Sequence, residues 1–360
     1  MTSSILQAYG IPYENSRVEV IASGLINRTW KITHNEQPFI LQRINDHVFK
    51  KPYQLAENIR MIDRYLAQHN PSYLFVSPIR NNLEEEIVHD TQEGFFRLFP
   101  FVQGSHTISV VSTPEQAYEA ALQFGKFTKL LSGFDATKLH TTIPNFHNLI
   151  LRYHQFEDSL KDGNPERIAQ SRGLISEIKK HQHILTSYEK IKSSTQIIQR
   201  VTHHDTKISN VLFDDQNKGI CVIDLDTVMP GYFISDMGDM MRTYLSPANE
   251  EEKDFNKIEI RNDFFRAIVQ GYVGQMGDEL TGDEKHLILY AGSFLIYMQA
   301  IRFLADYCNN DLYYGAGYPD QNFVRAGNQM RLLHQLEEKS EVFQKMISEE
   351  LATKTYLFRS

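Results

Sequence analysis

About the first hundred residues of the chain carry strand-like spacing, the remainder carries helical spacing, and one β-rich island is set inside the helical part. Strands followed by helices point to an α+β chain with its elements segregated into two bodies, not an alternating βαβ sheet. The segments VEVIAS (18–23), RTWKITH (28–34) and PFILQRIN (38–45) are β-branched or aromatic, punctuated by Gly24 and by residues 34–38. Residues 53–68 switch to helical spacing, with Leu55, Ile59, Ile62 and Leu66 on one face. Two further strands are expected around 86–89 and 94–100. Past Gly104, Thr113-Pro114-Glu115 has the form of an N-cap, a first-turn proline and an acidic first turn, which opens a helix to Ser132 capped by Gly133. Further helices are expected at about 147–160, 165–192, 252–276, 283–309 and 320–350. The island, VLFDD-QNKG-ICVIDLDTV (211–228), has its turn at 214–219 and predicts a β-hairpin. The expected organisation is bilobal: a small β-rich N-lobe with one helix, residues 1–102, and a large, mostly helical C-lobe, residues 103–360. A hinge near 99–104 would leave a ligand cleft between them.

Composition narrows the class of partner. The 360 residues are 41% hydrophobic, ample for a core, which excludes a disordered chain. A formal net charge of −8, with no long Lys/Arg run, argues against nucleic acid as partner. The two cysteines, Cys221 and Cys308, fit a reduced, cytoplasmic setting. The N-terminal stretch has no basic region ahead of a long apolar run, so no secretory signal is expected. The most apolar segment, 287–305, is interrupted by Ser293, Gln299 and Arg302, which predicts a buried helix and no membrane partner. A small molecule remains the expected partner.

The chemistry concentrates in RVTHHDTKISNVLF (200–213), a His-x-Asp with an Asn five residues past the Asp. The strand that follows ends in Asp224 and Asp226, which regular alternation would place on one face. Asp205, Asn210 and Asp224 would then surround one point with oxygen donors. Magnesium prefers such a set, one or two carboxylates supplemented by phosphate oxygens. Phosphoryl transfer needs the same parts: a base for the acceptor hydroxyl and ligands that hold the metal on the nucleotide. A metal-hydrolase set at His203-His204-Asp205 is the rival, although no second histidine cluster has ligand spacing. Asp214-Asp215 is expected to be a turn, and His203 a brace for its loop.

The pattern H-x-D-x4-N, followed by a hydrophobic strand ending I-D, resembles the aminoglycoside phosphotransferase and choline kinase group, and more closely the bacterial N-acetylhexosamine 1-kinases. The similar blocks are RVTHxDTKxxN, IDLDTxMPG (223–231), DxGDxxR (236–242), RFLADY with DxY after it (302–313), YPxxNxVR (318–325) and GxIN (24–27). The resemblance implies a protein-kinase-like fold with a catalytic β-hairpin in the C-lobe, ATP and Mg2+ as cofactors, and a small-molecule sugar acceptor. It implies Asp205 as the catalytic base, with Asn210 and Asp224 on magnesium and Asp226 as a direct or supporting metal contact. Asp236 and Asp239 would brace the loop. Lys207, two residues past the base, would either neutralise charge on the transferred group or be a solvated loop lysine. Where protein kinases carry a strand lysine, this chain has Gln42, with Arg43 as a substitute on the opposite face if the strand is regular. Ser23 and Gly24 would let the backbone approach phosphate. Adenine would lie at the hinge near Phe99, Phe101 and Val102. On the acceptor side the resemblance implies Asn27, Arg302 and Tyr313, with Asp306 as the partner of Arg302 one helical turn away. The implied activity is ATP-dependent phosphorylation of the anomeric hydroxyl of N-acetylglucosamine or N-acetylgalactosamine. The alternatives are another hydroxyl acceptor (homoserine, methylthioribose, choline, an aminoglycoside) or a nucleotide-binding pseudokinase.

Overall fold

The computed structural model describes residues 3–21 and 26–357. Ser23 and Gly24 lie outside the described residues. The N-terminal lobe is built on a five-stranded antiparallel sheet in the order β1-β2-β3-β5-β4, formed by β1 (Ser16–Ile21), β2 (Arg28–His34), β3 (Gln37–Ile44), β4 (Val88–Asp90) and β5 (Gly94–Pro100). Register decides which side chains share a face. Trp30, Leu41 and Leu98 stand in one cross-strand row, while Thr29, Gln42 and Arg97 stand in the next, on the opposite face. The apolar face is closed by Ile5 and Leu6 of a short helix, Ser3–Ala8, an element that the sequence reading did not anticipate. The polar row faces the helical lobe.

Helix Pro52–His69 belongs to both bodies. Leu55 and Ala56 pack with Ile44 and Ile87 of the N-terminal lobe, while Ile59, Ile62 and Leu66 enter the large helical core. Its buried Asn58 donates to the backbone carbonyls of His140 and Val228 and accepts from the His140 N–H. A buried amide fully used in this way fixes the helix against the C-terminal lobe.

That lobe is organised around helix Ile288–Cys308, whose faces are covered by helices Gln321–Glu338, Phe233–Tyr244 and Leu149–Asp162. The helix has the length and hydropathy of a membrane span, and packing inside the lobe accounts for both. Helix Pro114–Leu130, capped by the Thr113 side chain, lies against helix Asn262–Met276. The two backbones meet at glycine: a Cβ on Gly271 would stand 2.5 Å from the Tyr118 carbonyl. Several expected helices are shorter than their periodicity suggested. The span 165–192 is three helices, Pro165–Gln170, Arg172–Lys180 and His183–Ser193, and 320–350 breaks at Lys339. The segment from 252 becomes α-helical only at Asn262, and 283–309 breaks at Leu287. Gly133 is not a helix cap; it makes room for the Tyr65 hydroxyl, which a Cβ there would meet at 2.5 Å.

Candidate active site

Strands β6 (Arg200–Thr202) and β9 (Met229–Gly231) pair antiparallel; between them in sequence come the loop 203–210 and the hairpin β7 (Val211–Phe213)/β8 (Gly219–Val222). That loop is pinned from below by helix Phe233–Tyr244. Asp236 accepts from the N–H groups of His203 (3.1 Å) and His204 (2.7 Å), and Asp239 accepts from Thr206 N–H at 2.9 Å. The His203 Nε2–H donates to the Ile223 carbonyl at 3.0 Å, which ties the loop to the end of the hairpin. His204 adopts a left-handed φ of 67° and its Nδ1 lies 3.1 Å from the carbonyls of both Thr202 and Thr227. Such a φ is unusual for a non-glycine residue and marks a loop held by its surroundings. Gly231 is part of that hold, because a Cβ there would lie 2.3 Å from the His204 Nε2.

The loop presents Asp205 to a cleft that it shares with Lys207, Asn210, Asp224, Asp226, Thr227, Asn27 and Gln42. Lys207 Nζ lies 3.0 Å from Asp205 Oδ1, so the part-exposed lysine is its ion-pair partner. Burial alone would raise the Asp205 carboxyl; the charge and hydrogen bond of Lys207 outweigh it and hold the group below the usual carboxylate range. Lys207 is raised in turn: burial pulls it down, and Asp205 and Asp239 more than reverse that. Asn210 donates its Nδ2 to both the Asp205 carbonyl (2.9 Å) and Asp205 Oδ2 (3.1 Å), which leaves its Oδ1 for a ligand.

Asp224 reaches the cleft by a route that strand alternation does not describe. β8 stops at Val222, and Asp224 adopts a left-handed conformation (φ 58°, ψ 60°) that swings its side chain outward. It is exposed on the solvent side and crowded by protein on the others. That crowding, followed by the charges of Asp226 and Asp205, pushes its carboxyl up to about 7. Asp224, which has no ion-pair partner among the described residues, beside Asp205 and the unused Asn210 amide oxygen, forms the kind of oxygen donor set that a hard divalent ion takes.

Asp226 is not available to a metal. Its oxygens are held by Arg97, with Nη1 to Oδ1 at 2.6 Å and Nη2 to Oδ2 at 2.8 Å, and Asn27 Nδ2 adds 2.7 Å to Oδ2. Asn27 is committed as well, since its Oδ1 accepts from Asn45 N–H at 3.0 Å, so its amide braces the cleft wall and is not free for an acceptor. Gln42 Oε1 accepts from Arg97 Nε and Nη2, and Gln42 Nε2 lies 3.4 Å from Thr29 Oγ1. The cation next to Gln42 is thus Arg97 on β5, which is buried against Asp226. The signal for it was a lone arginine inside the apolar strand GFFRLFP. Arg43 lies outside the cleft, packed against Gly94 in a groove with Arg28 and His47. Of the hinge residues, Phe99 lies under the Arg97 guanidinium (5.0 Å), Phe101 lies beside Lys31 Nζ (4.7 Å), and the Val102 carbonyl accepts from Ser105.

Arg302, Asp306 and Tyr313 line a second groove with Arg152 and Tyr314. The expected Arg302–Asp306 pair does not form. Asp306 accepts instead from the N–H groups of Tyr313 (2.7 Å) and Tyr314 (2.9 Å) and from Asn322 Nδ2 (3.1 Å), which fastens the loop after its helix. Backbone donors that would otherwise be unsatisfied compete well for a carboxylate. Arg302 donates to Gln299 Oε1 at 2.8 Å and lies near the rings of Tyr313 and Tyr314. No carboxylate lies within ion-pair distance of it among the described residues. Near the loop, the His147 ring stands 5.4 Å from that of His204, and its protonation is suppressed by burial, by His204 and then by Arg302.

Residues 17–265 match the family model described as Phosphotransferase enzyme family. Solved structures similar along nearly the whole chain include a microcompartment-associated aminopropanol kinase (TM-score 0.64, 14% identity, covering 95% of this chain and 97% of that one). An aminoglycoside phosphotransferase from Alicyclobacillus acidocaldarius subsp. acidocaldarius DSM 446 matches at TM-score 0.63 and 12% identity, covering 98% and 97%. The amicoumacin kinase hAmiN, in complex with AMP-PNP, Ca2+ and Ami, matches at TM-score 0.61 and 14% identity, covering 92% of each chain. At these identities the likeness is one of fold, a β-sheet lobe joined to a helical lobe.

Proposed function

Because the chain belongs to the phosphotransferase enzyme family, we propose that it transfers the γ-phosphoryl group of ATP to the anomeric hydroxyl of an N-acetylhexosamine, giving the sugar 1-phosphate. One observation carries the phosphotransfer part. Asp205 is held anionic by Lys207, is oriented by Asn210, and faces Asp224 in one cleft. The acceptor class rests on Arg302. A half-buried guanidinium without a carboxylate partner, beside two tyrosines, suits the neutral hydroxyls and acetamido carbonyl of a sugar. Its charge disfavours the cationic head of choline or an aminoglycoside beside it, while Asp158 and Asp162 also line the groove.

In this reading Asp205 accepts the proton of the acceptor hydroxyl as its oxygen forms the new bond to phosphorus. The bond from that phosphorus to the ADP oxygen breaks in line. Lys207 keeps Asp205 ionised until the hydroxyl arrives and then faces the charge that develops on the transferred group. Asn210, through Nδ2, fixes the carboxylate's direction. Magnesium, held by Asn210 Oδ1 and Asp224, would supply neutralising charge to the nucleotide phosphates. Arg302 and Tyr313 would orient the sugar.

The test is ADP release with ATP against a panel of free sugars, choline, homoserine and kanamycin, with Asp205→Asn as the blank. Turnover with N-acetylhexosamines that disappears on their 1-O-methyl glycosides is the expected result. Turnover that survives methylation moves the reaction to another hydroxyl, and turnover with a non-sugar alone overturns the acceptor. Silence across the panel overturns the kinase reading.

A further inference from the structure

Away from the cleft, the helical lobe carries a histidine and glutamate cluster that the phosphotransfer reading leaves unused. Helix Arg172–Lys180 places Glu177 in its last turn and leads into His181; helix Gln321–Glu338 brings His334 and Glu337 against them. Spacings of four and three put each pair on one helical face. A Glu177 carboxylate oxygen and ring nitrogens of His181 and His334 lie within 4.8 Å of one another. His334 Nε2 stands 3.4 Å from Glu177 Oε2, and His181 Nε2 stands 3.1 Å from Glu337 Oε2.

The tautomer of His181 sharpens the point. Its Nδ1 lies 2.7 Å from the Glu177 backbone carbonyl, which can only accept, so Nδ1 carries the hydrogen. In the neutral ring Nε2 is then a lone pair aimed at the Glu337 carboxylate, itself an acceptor. Two acceptors at 3.1 Å need a cation between or upon them: a second ring proton, or a metal ion. Metal–nitrogen and metal–oxygen bonds near 2.0–2.1 Å in a tetrahedral shell hold their ligands roughly 3.3 Å apart. The His334–Glu177 and His181–Glu337 contacts, 3.4 and 3.1 Å, are near that size, and a bound ion would draw the Glu177, His181 and His334 ligand atoms, now within 4.8 Å of one another, onto it. The Nδ1–H bond to a backbone carbonyl is also the contact that orients a metal-bound histidine. Lys180 takes Glu177 Oε1 at 2.6 Å, which leaves Oε2 for the ion.

We propose that Glu177, His181 and His334 form a binding site for a zinc-class divalent ion, with the Glu337 carboxylate beside His181, that clasps helix Arg172–Lys180 to helix Gln321–Glu338. Two imidazoles with a carboxylate favour zinc over magnesium. His181 is buried, while the side chains of His334 and Glu337 are about one-third exposed (34% and 36%), so an ion reaches the site from solvent. The site is structural: it sits about three turns along its helix from Asn322, which holds the Asp306 loop, and it touches no residue of the cleft. It does not depend on the phosphotransfer reading.

The test uses the full chain, stripped with a chelator and titrated with ZnCl2 or CoCl2. Calorimetry, metal analysis, cobalt absorption and thermal melting are the readouts. Expected are one saturable zinc equivalent outside the cleft, the intense visible bands of four-coordinate cobalt, and a melting midpoint raised by several degrees. His334→Ala and His181→Gln should each weaken zinc at least tenfold and remove the rise. His334→Ala, at a partly exposed position, should keep its circular dichroism and its turnover. Absence of saturable zinc binding overturns the site. Zinc affinity and cobalt bands undiminished in both variants overturn it equally, since the ion would then lie elsewhere.

Discussion

Arg97 on β5 and Asp226 after β8 form a buried ion pair, Nη1 to Oδ1 at 2.6 Å and Nη2 to Oδ2 at 2.8 Å, that joins the sheet lobe to the helical lobe. Both side chains are 2% exposed. Charges so deep are costly unless their other valences are met; Gln42 accepts from Arg97 Nε and Nη2 and Asn27 donates to Asp226 Oδ2, while Nη1 and Oδ1 have only each other. Arg97→Met would strand the carboxylate and should lower unfolding free energy by ~3–5 kcal/mol. Arg97→Met with Asp226→Leu should lose markedly less than the two single variants together. Urea denaturation of the four proteins of this cycle checks it; additive losses would mean that the pair does not act as a unit.

Asp205→Asn keeps the size of the side chain and removes its basicity. Turnover should fall by roughly 10²–10⁴, with the melting temperature near that of the parent. A variant within a few-fold of parental turnover would remove Asp205 as the base. Lys207→Met is the companion. Without its cation the Asp205 carboxyl should rise, so the acid limb of the pH–rate profile should move to higher pH, a shift that loss of packing alone does not produce.

His204 sets a pH dependence of stability. Burial pulls its ring down to about 4, while the unfolded chain should titrate near 6.5. Between those values the unfolded state binds the proton and the native state does not. Stability from this group is therefore full above about pH 6.5 and is lost as pH falls through about 4. The loss should be on the order of 3 kcal/mol. Asn tolerates a left-handed φ, so His204→Asn is the control. Denaturation at pH 7 and pH 4.5 should show the parent losing more than the variant; equal losses would assign the acid sensitivity to other groups, the buried His147 and His203 among them.

The strands, the hairpin and the run from His203 to Asn210 were legible because each depends on neighbours a few residues away: period-two burial, a turn of Asp, Asn and Gly, a loop with fixed spacings. Arg97 and Asp226 were not. They meet across 129 positions, and an arginine in a strand looks the same whether it faces solvent or a buried acid. Asp224 defeated the alternation rule because a single left-handed residue reorients a side chain without any composition signal. The expected helix 165–192 missed its break at Ser171, whose N–H and hydroxyl both bond back to the Arg167 carbonyl and close one helix before the next begins. The one-turn spacing of Arg302 and Asp306 was real, yet spacing ranks only local partners. It could not anticipate that two tyrosine N–H groups and Asn322 would claim the acid.

That rearrangement makes the acceptor groove testable at two neighbouring residues. Arg302 has its guanidinium on Gln299 and toward two tyrosine rings, so Arg302→Ala removes donors from the groove without stranding a carboxylate. Fold and melting temperature should be nearly preserved, while the KM for the sugar rises roughly 10- to 100-fold, the range of one or two lost hydrogen bonds from a charged donor. The KM for ATP should stay within a few-fold. Asp306→Ala should behave differently, because it releases the N–H groups of Tyr313 and Tyr314 and frees the loop that forms one wall of the groove. Stability and sugar KM should then change together. Steady-state kinetics with each substrate varied, paired with thermal melts, separates the two. Equal effects on both KM values in Arg302→Ala would take the acceptor out of this groove.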